Sequence, residues 1–512
     1  MSEQHYKYVV LGGGQAAGYA AREFVSGGVK PGELLIIGKE NVVSYERPTL
    51  SKAYCKPEGP KLPGFHACVG GGGEKQEPAW YKEKGIEYLT GTTATSVDIK
   101  GKSVSTDKGQ KYSYDKLMVA TGSTNITLDT FGAKNAKLNG IFYLRDIADG
   151  DKLNEGIAKA KNASKEVVVV GGGYIGMEVS SMLTPHGLNI TLVFPEDRLM
   201  SRLFTPDIAA YYEKYYQDKG IKLIKGELAS GFADAGDGSV KAVELKSGGT
   251  IPADLVVVGA GAKPNVDLFE GQLDLLEDKP GGIKTNAQLQ TSNPDVYAVG
   301  DIAAFPQTLY GGGPSRQEHV QHARLSAAFA ASEMMAPGKR GDYNYLPFFY
   351  SREFDRAWQF YGINQGEPVF FGDASAGKFG SYWIDDGKVV GAFLESGSGD
   401  ENNAIKQVAT VRPSAPSKDE LSKAGLDFAT KASQKSAATV ASAGNSFSSS
   451  RRLTTMACHS GGRMPSMTRL HPVRAMAPQS MLPAPRTPAI RASAPHMRTA
   501  MLAVRRMSFA LL

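Results

Sequence analysis

Short apolar runs that end in glycine recur along this chain and define its predicted elements. Twice, an apolar run meets three consecutive glycines, a helical stretch follows, and a second apolar run comes after the helix. This order predicts a βαβ unit of a parallel sheet in each case. The predicted strands are 8–11 and 34–37 in the first unit, and 167–170 and 190–194 in the second.

Three more apolar runs, at 117–120, 255–258 and 296–299, also lead into glycine, which is typical of buried parallel strands. Between residues 338 and 432 the pattern changes, and aromatic and apolar residues alternate with polar ones. Such alternation predicts antiparallel strands. We therefore expect an α/β fold with two Rossmann-like dinucleotide-binding domains, followed by a C-terminal α+β domain with an antiparallel sheet.

Length and composition fit such a fold. With 512 residues, of which 41% are hydrophobic, the chain is long enough for about three domains with buried cores. No apolar run approaches the roughly 18 residues that a membrane-spanning helix needs, and no apolar signal segment opens the chain. Three cysteines are too few and too irregularly spaced for a disulfide framework or a zinc site. We expect no metal site, no membrane partner and a reducing compartment.

The net charge of +6 is distributed unevenly. Residues 1–427 carry 46 basic and 52 acidic side chains, whereas residues 428–512 carry 12 basic and no acidic ones. Since the basic excess belongs to the end of the chain alone, we expect no nucleic-acid partner for the body. The Ala, Ser, Pro, Met and Arg composition of 433–512 predicts a disordered tail. Two alternatives stay open for this tail: an error in the gene model, or a weak charge-driven contact with RNA or a membrane surface.

The first glycine turn has the spacing of a dinucleotide-binding fingerprint. Gly12 suits a tight turn, Gly14 lets a pyrophosphate approach the backbone, and the small Ala17 lets the helix pack closely on the strand. The amino terminus of the helix then faces the phosphates. Glu40 follows the second strand, where an acidic side chain is expected to accept a hydrogen bond from a ribose hydroxyl.

The second turn carries the complete fingerprint, with Gly171, Gly173 and Gly176. Glu196 follows the next strand, where a carboxylate suits a free ribose hydroxyl and repels a 2′-phosphate, which favours NADH over NADPH. Arg202 close by weakens this preference, and a solvated surface carboxylate is the plainer interpretation of Glu196.

Further motifs accompany the two turns. A strand ending in Ala120-Thr121-Gly122 and a later one ending in Gly300-Asp301 recur in flavoproteins with two dinucleotide folds. The chain resembles the FAD- and NAD(P)-dependent pyridine nucleotide oxidoreductases. It lacks the Cys-x4-Cys pair of their disulfide reductases, so electrons are expected to leave the flavin directly. Instead, the stretch 47–52 is similar to the Arg-Pro-x-Leu-Ser-Lys of the ferredoxin-reductase-like branch.

Longer segments of the sequence indicate which branch of these oxidoreductases the chain resembles. The stretches 62–70, 78–87, 318–324 and 349–362 are similar to segments of the monodehydroascorbate reductases of plants and green algae. This resemblance covers residues 5–432. It implies an NADH-dependent flavoenzyme, with NADPH used less well, that reduces the monodehydroascorbate radical to ascorbate. Hydride would pass from NADH to FAD, and two one-electron transfers would follow.

The resemblance also implies which residues act. Arg324 and Arg352 would hold the anionic radical, because guanidinium groups pair well with enolate oxygens. Glu178 would orient the nicotinamide and Tyr350 would lie beside the flavin. The residues implied for FAD are Gly13, Gly14, Gln15, Ala16, Glu40, Arg47, Lys52, Thr95, Arg145, Asp301, Val320 and Tyr350. Those implied for the nicotinamide nucleotide are Gly172, Gly173, Tyr174, Ile175, Gly176, Met177, Glu178, Glu196, Arg202, Gly261, Glu318 and His319.

Plainer interpretations stand beside these roles. Either arginine could be an ordinary exposed side chain, and Glu178 could be a carboxylate on a helix surface. Trp358 is typical of a β-domain core, although an aromatic ring there could assist electron transfer. Cys68, close to His66, has no second pair of ligands for a metal, and an oxidation-sensitive thiol is the alternative to an inert one.

We expect four regions along the chain. They are a discontinuous FAD-binding domain at 1–122 and 263–335, an NAD(P)H-binding domain at 123–262, a C-terminal α+β domain at 336–432 and a tail at 433–512. We expect a monomer or weak oligomer acting on a small molecule in the cytosol, with the chloroplast as the alternative.

Two other functions stay open. One is a ferredoxin or rubredoxin reductase component, which the acidic body disfavours, and the other is a slow redox sensor of the apoptosis-inducing-factor type. The segment 62–87 disfavours both.

Overall fold

The structure, a computed structural model, describes residues 4–59, 73–278 and 280–434. Within these ranges the chain forms three main sheets, which we call amino-terminal, central and carboxyl-terminal. His66, Cys68 and the whole segment 62–70 lie outside the described residues, as does nearly all of the predicted tail.

The amino-terminal sheet is centred on its longest strand, Lys111–Val119. Alternate residues of its strands are buried on opposite faces, and the helices Gln15–Ser26 and Val320–Met335 cover one of these faces. Burial on both sides explains the nearly continuous apolar runs in the sequence. In spatial order the strands are Glu87–Leu89, Leu34–Ile37, Gln4–Leu11, Lys111–Val119, Ser103–Thr106 and Ala94–Asp98, and Val296–Ala298 also pairs with Lys111–Val119.

The central sheet is parallel throughout. The second glycine turn joins its middle strand to the helix Tyr174–Leu183, as the βαβ pattern predicts. In spatial order the strands are Lys222–Lys225, Asn189–Phe194, Glu166–Val170, Leu255–Val258 and Ile141–Tyr143.

The carboxyl-terminal sheet is antiparallel throughout. One face shares an apolar core with the central sheet, where Trp358 and Phe393 join Val169 and Leu192. The other face is covered by the helix Gly399–Val411. In spatial order the strands are Phe348–Glu353, Arg356–Gly362, Lys388–Glu395, Lys378–Asp385 and Glu367–Asp373.

Shorter elements complete the described part. Small sheets are formed by Ala229–Asp234, Val240–Leu245 and Thr250–Pro252, by Ser123–Asn125 with Ala262–Pro264, and by Ile283–Lys284, Ala303–Pro306 and Pro314–Ser315. The remaining α-helices are Pro78–Glu83, Ile147–Asn162, Pro206–Asp218 and Lys418–Ala424. Leu50–Tyr54 is a single π-helical turn, and 3₁₀ turns occur at Leu128–Phe131, Thr184–His186, Asp267–Phe269, Gly300–Ile302 and Thr308–Tyr310.

The predicted fold class is confirmed: both βαβ units and the C-terminal antiparallel sheet form where the sequence pattern indicates them. The domain boundaries at 122, 262 and 335 stay a prediction. Among the helices of the described residues, none has the length and apolar composition that crossing a membrane requires.

Candidate functional site

The first glycine turn brings its backbone against a neighbouring strand. Gly12 has a φ of +117°, and a Cβ there would collide with the carbonyl of Ala120. Gly14 occupies the N-cap of the helix Gln15–Ser26, and as a glycine it has no side chain to cap the helix. The first N–H groups of this helix are therefore open to an anion such as a pyrophosphate.

A run of charged side chains lies beside this turn. Arg47 forms an ion pair with Glu40, and its guanidinium donates to the hydroxyl of Tyr45 at 3.0 Å and to the backbone oxygen of Arg145 at 2.8 Å. The Arg145 guanidinium lies 3.4 Å from the carboxylate of Asp301. Four residues implied for FAD are thus joined in one network, and Glu40 keeps lone pairs for a further donor.

Other residues implied for FAD lie at different places. Gly13 and Ala16 belong to the glycine turn and its helix, while Gln15 points a buried side chain at Glu46. Val320 is the first residue of the helix Val320–Met335. Thr95 is exposed in a bulge of the outermost strand and does not belong to the charged network.

The second glycine turn repeats the geometry of the first. Gly171 has a φ of +114° against the carbonyl of Gly259, and a Cβ on Gly176 would collide with the Gly171 carbonyl. In contrast, a Cβ on Gly173 would find no atom within 4 Å. The helix therefore packs tightly on its strand and leaves an open approach at its amino terminus, the cradle that a dinucleotide pyrophosphate needs.

The other residues implied for the nicotinamide nucleotide spread around this turn. Glu196 and Arg202 are both exposed beyond the strand Asn189–Phe194. Gly261 has a φ of +106° in the loop before Ala262–Pro264. Glu318 is exposed and pairs with Arg316 at 2.5 Å. Gly172, Tyr174, Ile175 and Met177 follow in the turn and its helix.

Glu178 is a buried charge rather than a carboxylate on a helix surface. Its side chain is 3% exposed and lies 2.8 Å from the ammonium of Lys52. The hydroxyl of Ser351 donates to the same oxygen at 2.5 Å, and the Ser51 hydroxyl donates to the other. Burial of this carboxylate is tolerated because one cation and two donors compensate it.

Tyr350 and His319 border the same charged pair. The Lys52 ammonium lies 5.4 Å from the centre of the Tyr350 ring, and the His319 ring meets Tyr350 edge-on at 5.6 Å. Nδ1 of His319 accepts a hydrogen bond from the backbone of Gln321. Burial, followed by the charges of Lys52 and Arg324, lowers the pKa of His319 to about 3. His319 is therefore a neutral imidazole near Tyr350.

The two arginines implied for the substrate differ in environment. Arg324 is largely buried, and its guanidinium pairs with the buried carboxylate of Glu46 at 2.7 Å above the ring of Tyr19. Arg352 is exposed on the sheet face that also carries Tyr350. Among the described side chains, no carboxylate lies within ion-pair distance of Arg352.

Sequence reasoning missed several polar residues of this region. Four of them are buried, and each is adjacent in the chain to a predicted site residue: Glu46, Ser51, Ser351 and Glu353. No local signal in the sequence sets Glu353 apart, because Arg352, Asp355 and Arg356 surround it and its burial is decided only by packing.

Cysteine and aromatic residues have plainer roles here. Burial raises the pKa of the Cys55 thiol to about 12, so it is no thiolate nucleophile. Trp358 is 1% exposed and lies in the core shared by the central and carboxyl-terminal sheets. The described residues contain no group of three or more His, Cys, Asp or Glu that could hold a metal ion.

Comparison with protein families covers most of the described chain. Residues 6–327 match the family described as pyridine nucleotide-disulphide oxidoreductase. Residues 346–429 match the domain described as monodehydroascorbate reductase 3-like, C-terminal domain.

Several relatives match over nearly their full length. A protein of Pisum sativum named monodehydroascorbate reductase is 53% identical over 83% of this chain and 99% of its own. A protein of Arabidopsis thaliana named monodehydroascorbate reductase 1, peroxisomal, is 54% identical over 84% of this chain and 100% of its own. A protein of Oryza sativa named monodehydroascorbate reductase 4, cytosolic, is 51% identical over 84% of this chain and 99% of its own.

Solved structures share the architecture at lower identity. A ferredoxin reductase of Rhodopseudomonas palustris superposes with a TM-score of 0.73 and 28% identity, covering 83% of this chain and 99% of its own. Putidaredoxin reductase, in its covalent complex with putidaredoxin, gives a TM-score of 0.74 and 26% identity, covering 85% and 100%.

Proposed function

The chain belongs to the monodehydroascorbate reductases, within the pyridine nucleotide-disulphide oxidoreductases, and we propose that it reduces the monodehydroascorbate radical to ascorbate at the expense of NADH. The observation that carries the proposal is the 54% identity to a named reductase over 100% of that protein's length. The site adds chemistry that suits an anionic substrate, with Lys52, Arg324 and Arg352 around Tyr350.

FAD and a nicotinamide nucleotide are the cofactors of this family, and the two glycine cradles fit them. When bound, the nicotinamide nucleotide would supply a hydride to the flavin, and the flavin would pass the two electrons on one at a time. Gly14, Glu40, Arg47 and Asp301 would hold the first dinucleotide. The chain's own task is to bind, to orient and to exclude water, which the tight packing of both turns allows.

NADH is the proposed nucleotide because Glu196 is exposed beyond the strand Asn189–Phe194, where a 2′-phosphate would meet its charge. Replacement Glu196→Gln should raise kcat/KM for NADPH about tenfold and change that for NADH less, since one like charge is removed. Glu227→Gln is the control, because the preceding residue, Gly226, donates a backbone hydrogen bond to the carbonyl of Glu196 and so places another carboxylate near the same loop. An unchanged NADPH/NADH ratio would contradict this role of Glu196.

The two arginines are proposed to contact the radical differently. Arg324 is held in one orientation by Glu46, whereas Arg352 is free to close on an anion. Glu178 and Lys52 are proposed to orient the nicotinamide from behind Tyr350. Each of these groups can position a charge without itself being oxidised or reduced.

We further propose a cytosolic location and a small-molecule partner. The relatives include proteins named peroxisomal and cytosolic, so the location of this chain needs its own test. A fluorescent fusion of the full chain in its native cells should give a diffuse signal, and a signal confined to one organelle would contradict the proposal.

The activity is tested by NADH oxidation with FAD-loaded protein and two alternative acceptors. One is the radical, generated by ascorbate oxidase, and the other is ferredoxin coupled to cytochrome c. We expect rapid oxidation with the radical alone. Rapid oxidation only through ferredoxin would contradict the proposal in favour of a protein partner, such as the one that putidaredoxin reductase has in its complex with putidaredoxin. Slow oxidation with either acceptor would favour a sensor.

A further inference from the structure

Arg316 lies where three short strands bring distant parts of the chain together. It follows Pro314–Ser315, an edge strand of the small sheet in which Ala303–Pro306 is the middle strand. The other edge strand is Ile283–Lys284. Just before that strand, a Cβ on Gly282 would lie 3.0 Å from Cδ of Arg316 and 2.5 Å from a backbone carbonyl oxygen. The sheet therefore places the Arg316 side chain against a glycine that leaves room for it.

Backbone oxygens direct the guanidinium of Arg316. Its side chain is 10% exposed. Nε donates to the carbonyl of Pro280 at 2.6 Å, and Nη1 donates to the carbonyl of Asp301 at 3.0 Å. Nη1 also donates to Oε1 of Glu318 at 2.5 Å. Since two backbone oxygens already hold the planar group, the guanidinium orients the carboxylate of Glu318 rather than the reverse.

Arg316 thereby contacts one residue implied for each cofactor. Asp301, implied for FAD, accepts a hydrogen bond from the Ser123 hydroxyl at 2.9 Å with its carboxylate and offers Arg316 its backbone oxygen. Glu318, implied for the nicotinamide nucleotide, offers Arg316 one carboxylate oxygen. The Arg316 side chain thus joins the Asp301 turn to the carboxylate of Glu318.

Glu318 keeps an oxygen for a ligand. Its side chain is 37% exposed, and it precedes His319, whose ring centre lies 5.6 Å from that of Tyr350. Within the described ranges, no protein donor bonds to Oε2 of Glu318. An ionised carboxylate accepts hydrogen bonds at both oxygens. The carboxamide or a ribose hydroxyl of a nicotinamide nucleotide can supply the donor for the second one.

We propose that Arg316 is a positioning residue for the nicotinamide nucleotide. It holds the carboxylate of Glu318 in one orientation, so that the free oxygen accepts a hydrogen bond from the nucleotide without first losing side-chain entropy. Arg316 acts through Glu318 and needs no contact with the nucleotide. The inference rests on the proposed function, because it takes Glu318 to be a nucleotide contact.

Calorimetric titration of the FAD-loaded, full-length protein with NAD⁺ measures binding without turnover. Arg316→Gln and Glu318→Ala should each raise the Kd for NAD⁺ about tenfold, the worth of one charge-assisted hydrogen bond. The double variant should bind NAD⁺ at most about twofold more weakly than Glu318→Ala, because Arg316 acts through Glu318. Arg340→Gln is the matched control, since Arg340 also pairs with a carboxylate, that of Glu23, and it should leave the Kd within about twofold.

Arg316→Lys tests the geometry of the guanidinium separately from its charge. Lysine keeps the positive charge but not the planar fork that reaches two carbonyls and a carboxylate in fixed directions. This variant should raise the Kd for NAD⁺ about threefold, less than Arg316→Gln does, because the charge is retained.

Three results would overturn the inference. The first is a Kd for NAD⁺ that Arg316→Gln or Glu318→Ala leaves unchanged. The second is a loss in the double variant equal to the product of the two single losses, which indicates independent structural effects. The third, decisive if Arg316→Gln does not fold, is an unchanged Kd in Arg316→Lys. A wild-type protein that binds NAD⁺ and shows the expected dependence on Arg316 and Glu318, but does not reduce the radical, would instead contradict the proposed function alone.

Discussion

Single buried charges at the centre of this molecule are each matched to one partner. Lys52 compensates Glu178, and Glu46 compensates Arg324, in both cases with additional hydrogen bonds. Such pairs contribute little net stability, but removing one partner leaves the other charge buried and unpaired. Their use here is orientation, since each fixes the direction in which a cation faces Tyr350.

Replacing Arg352 tests the exposed cation of the site. Arg352→Ala should raise the KM for the radical about tenfold, the worth of one charge-assisted hydrogen bond, and leave the reduction of flavin by NADH unchanged. Arg356→Ala, on the opposite face of the same hairpin, is the control and should change the KM less than about twofold. A collapse of flavin reduction in Arg352→Ala would place this residue elsewhere in the mechanism.

Glu353 also predicts how stability depends on pH. Its pKa is about 8 in the folded protein and near its ordinary value of 4.5 after unfolding, so between these values the folded state holds a proton that the unfolded state releases. Stability should therefore fall as pH rises through this window, by about 1 kcal/mol per pH unit from this group. In the Glu353→Gln variant, the free energy of unfolding should decrease less as the pH rises.

Urea unfolding at pH 5, 6.5 and 8 measures this effect. The stability of Glu353→Gln relative to wild type should increase from pH 5 to pH 8, whereas Glu46→Gln provides a comparison at a buried, fully paired carboxylate. A difference between Glu353→Gln and wild type that is constant with pH would show that Glu353 is already ionised at pH 5.

At the scale of elements, the two glycine turns perform two separate tasks. The glycine that packs the helix on its strand, Gly176, has no room for a side chain. The glycine at the helix N-cap, Gly173, has ample room and a φ of −91°, which any residue adopts. In this turn, Gly176 therefore allows the helix to pack on its strand, and Gly173 leaves space for a ligand.

These positions should respond differently to alanine. Gly176→Ala should destabilise the protein by about 3 kcal/mol, because the helix Tyr174–Leu183 must move away from the Gly171 carbonyl. Gly173→Ala should leave the melting temperature nearly unchanged but weaken NADH binding about tenfold, since the methyl group blocks the approach of the pyrophosphate. Thermal unfolding and nucleotide titration of the two variants measure both effects. Equal destabilisation by the two would contradict this division.

At the scale of the whole molecule, charge and packing are distributed over different parts of the chain. The apolar cores of the described part are formed by residues between Tyr6 and Ala432. Residues 435–512 contain 11 basic and no acidic side chains. The relatives match about five-sixths of this chain over nearly their own full length, and the two family matches lie between residues 6 and 429, before this basic end.

Truncation after residue 434 tests this separation. The shortened chain should keep the melting temperature within about 2 °C and retain its activity, because it keeps every described core residue. Its net charge changes from +6 to −5, so it should no longer bind a cation-exchange resin at neutral pH. A large loss of thermal stability would show that the basic end contributes to folding.

Much of the architecture could be predicted because it is encoded locally. The strand Leu34–Ile37 and the strand Leu255–Val258 form within the bounds that the apolar runs predict. The helix that starts at Tyr174 ends at Leu183, because a 3₁₀ turn with Pro185 takes over. Which predicted site residues bind a cofactor or substrate stays a prediction.

The sequence by itself determined the backbone: glycine spacing specifies two tight turns, and apolar periodicity specifies which strands are buried on both faces. Only the tertiary structure decided which charges meet. Arg324 pairs with Glu46 across 278 positions, and Ser351 reaches Glu178 across 173. Side chains act over a few ångströms, so partners this distant in the chain are brought together only when the sheets have packed, and no local pattern records that meeting.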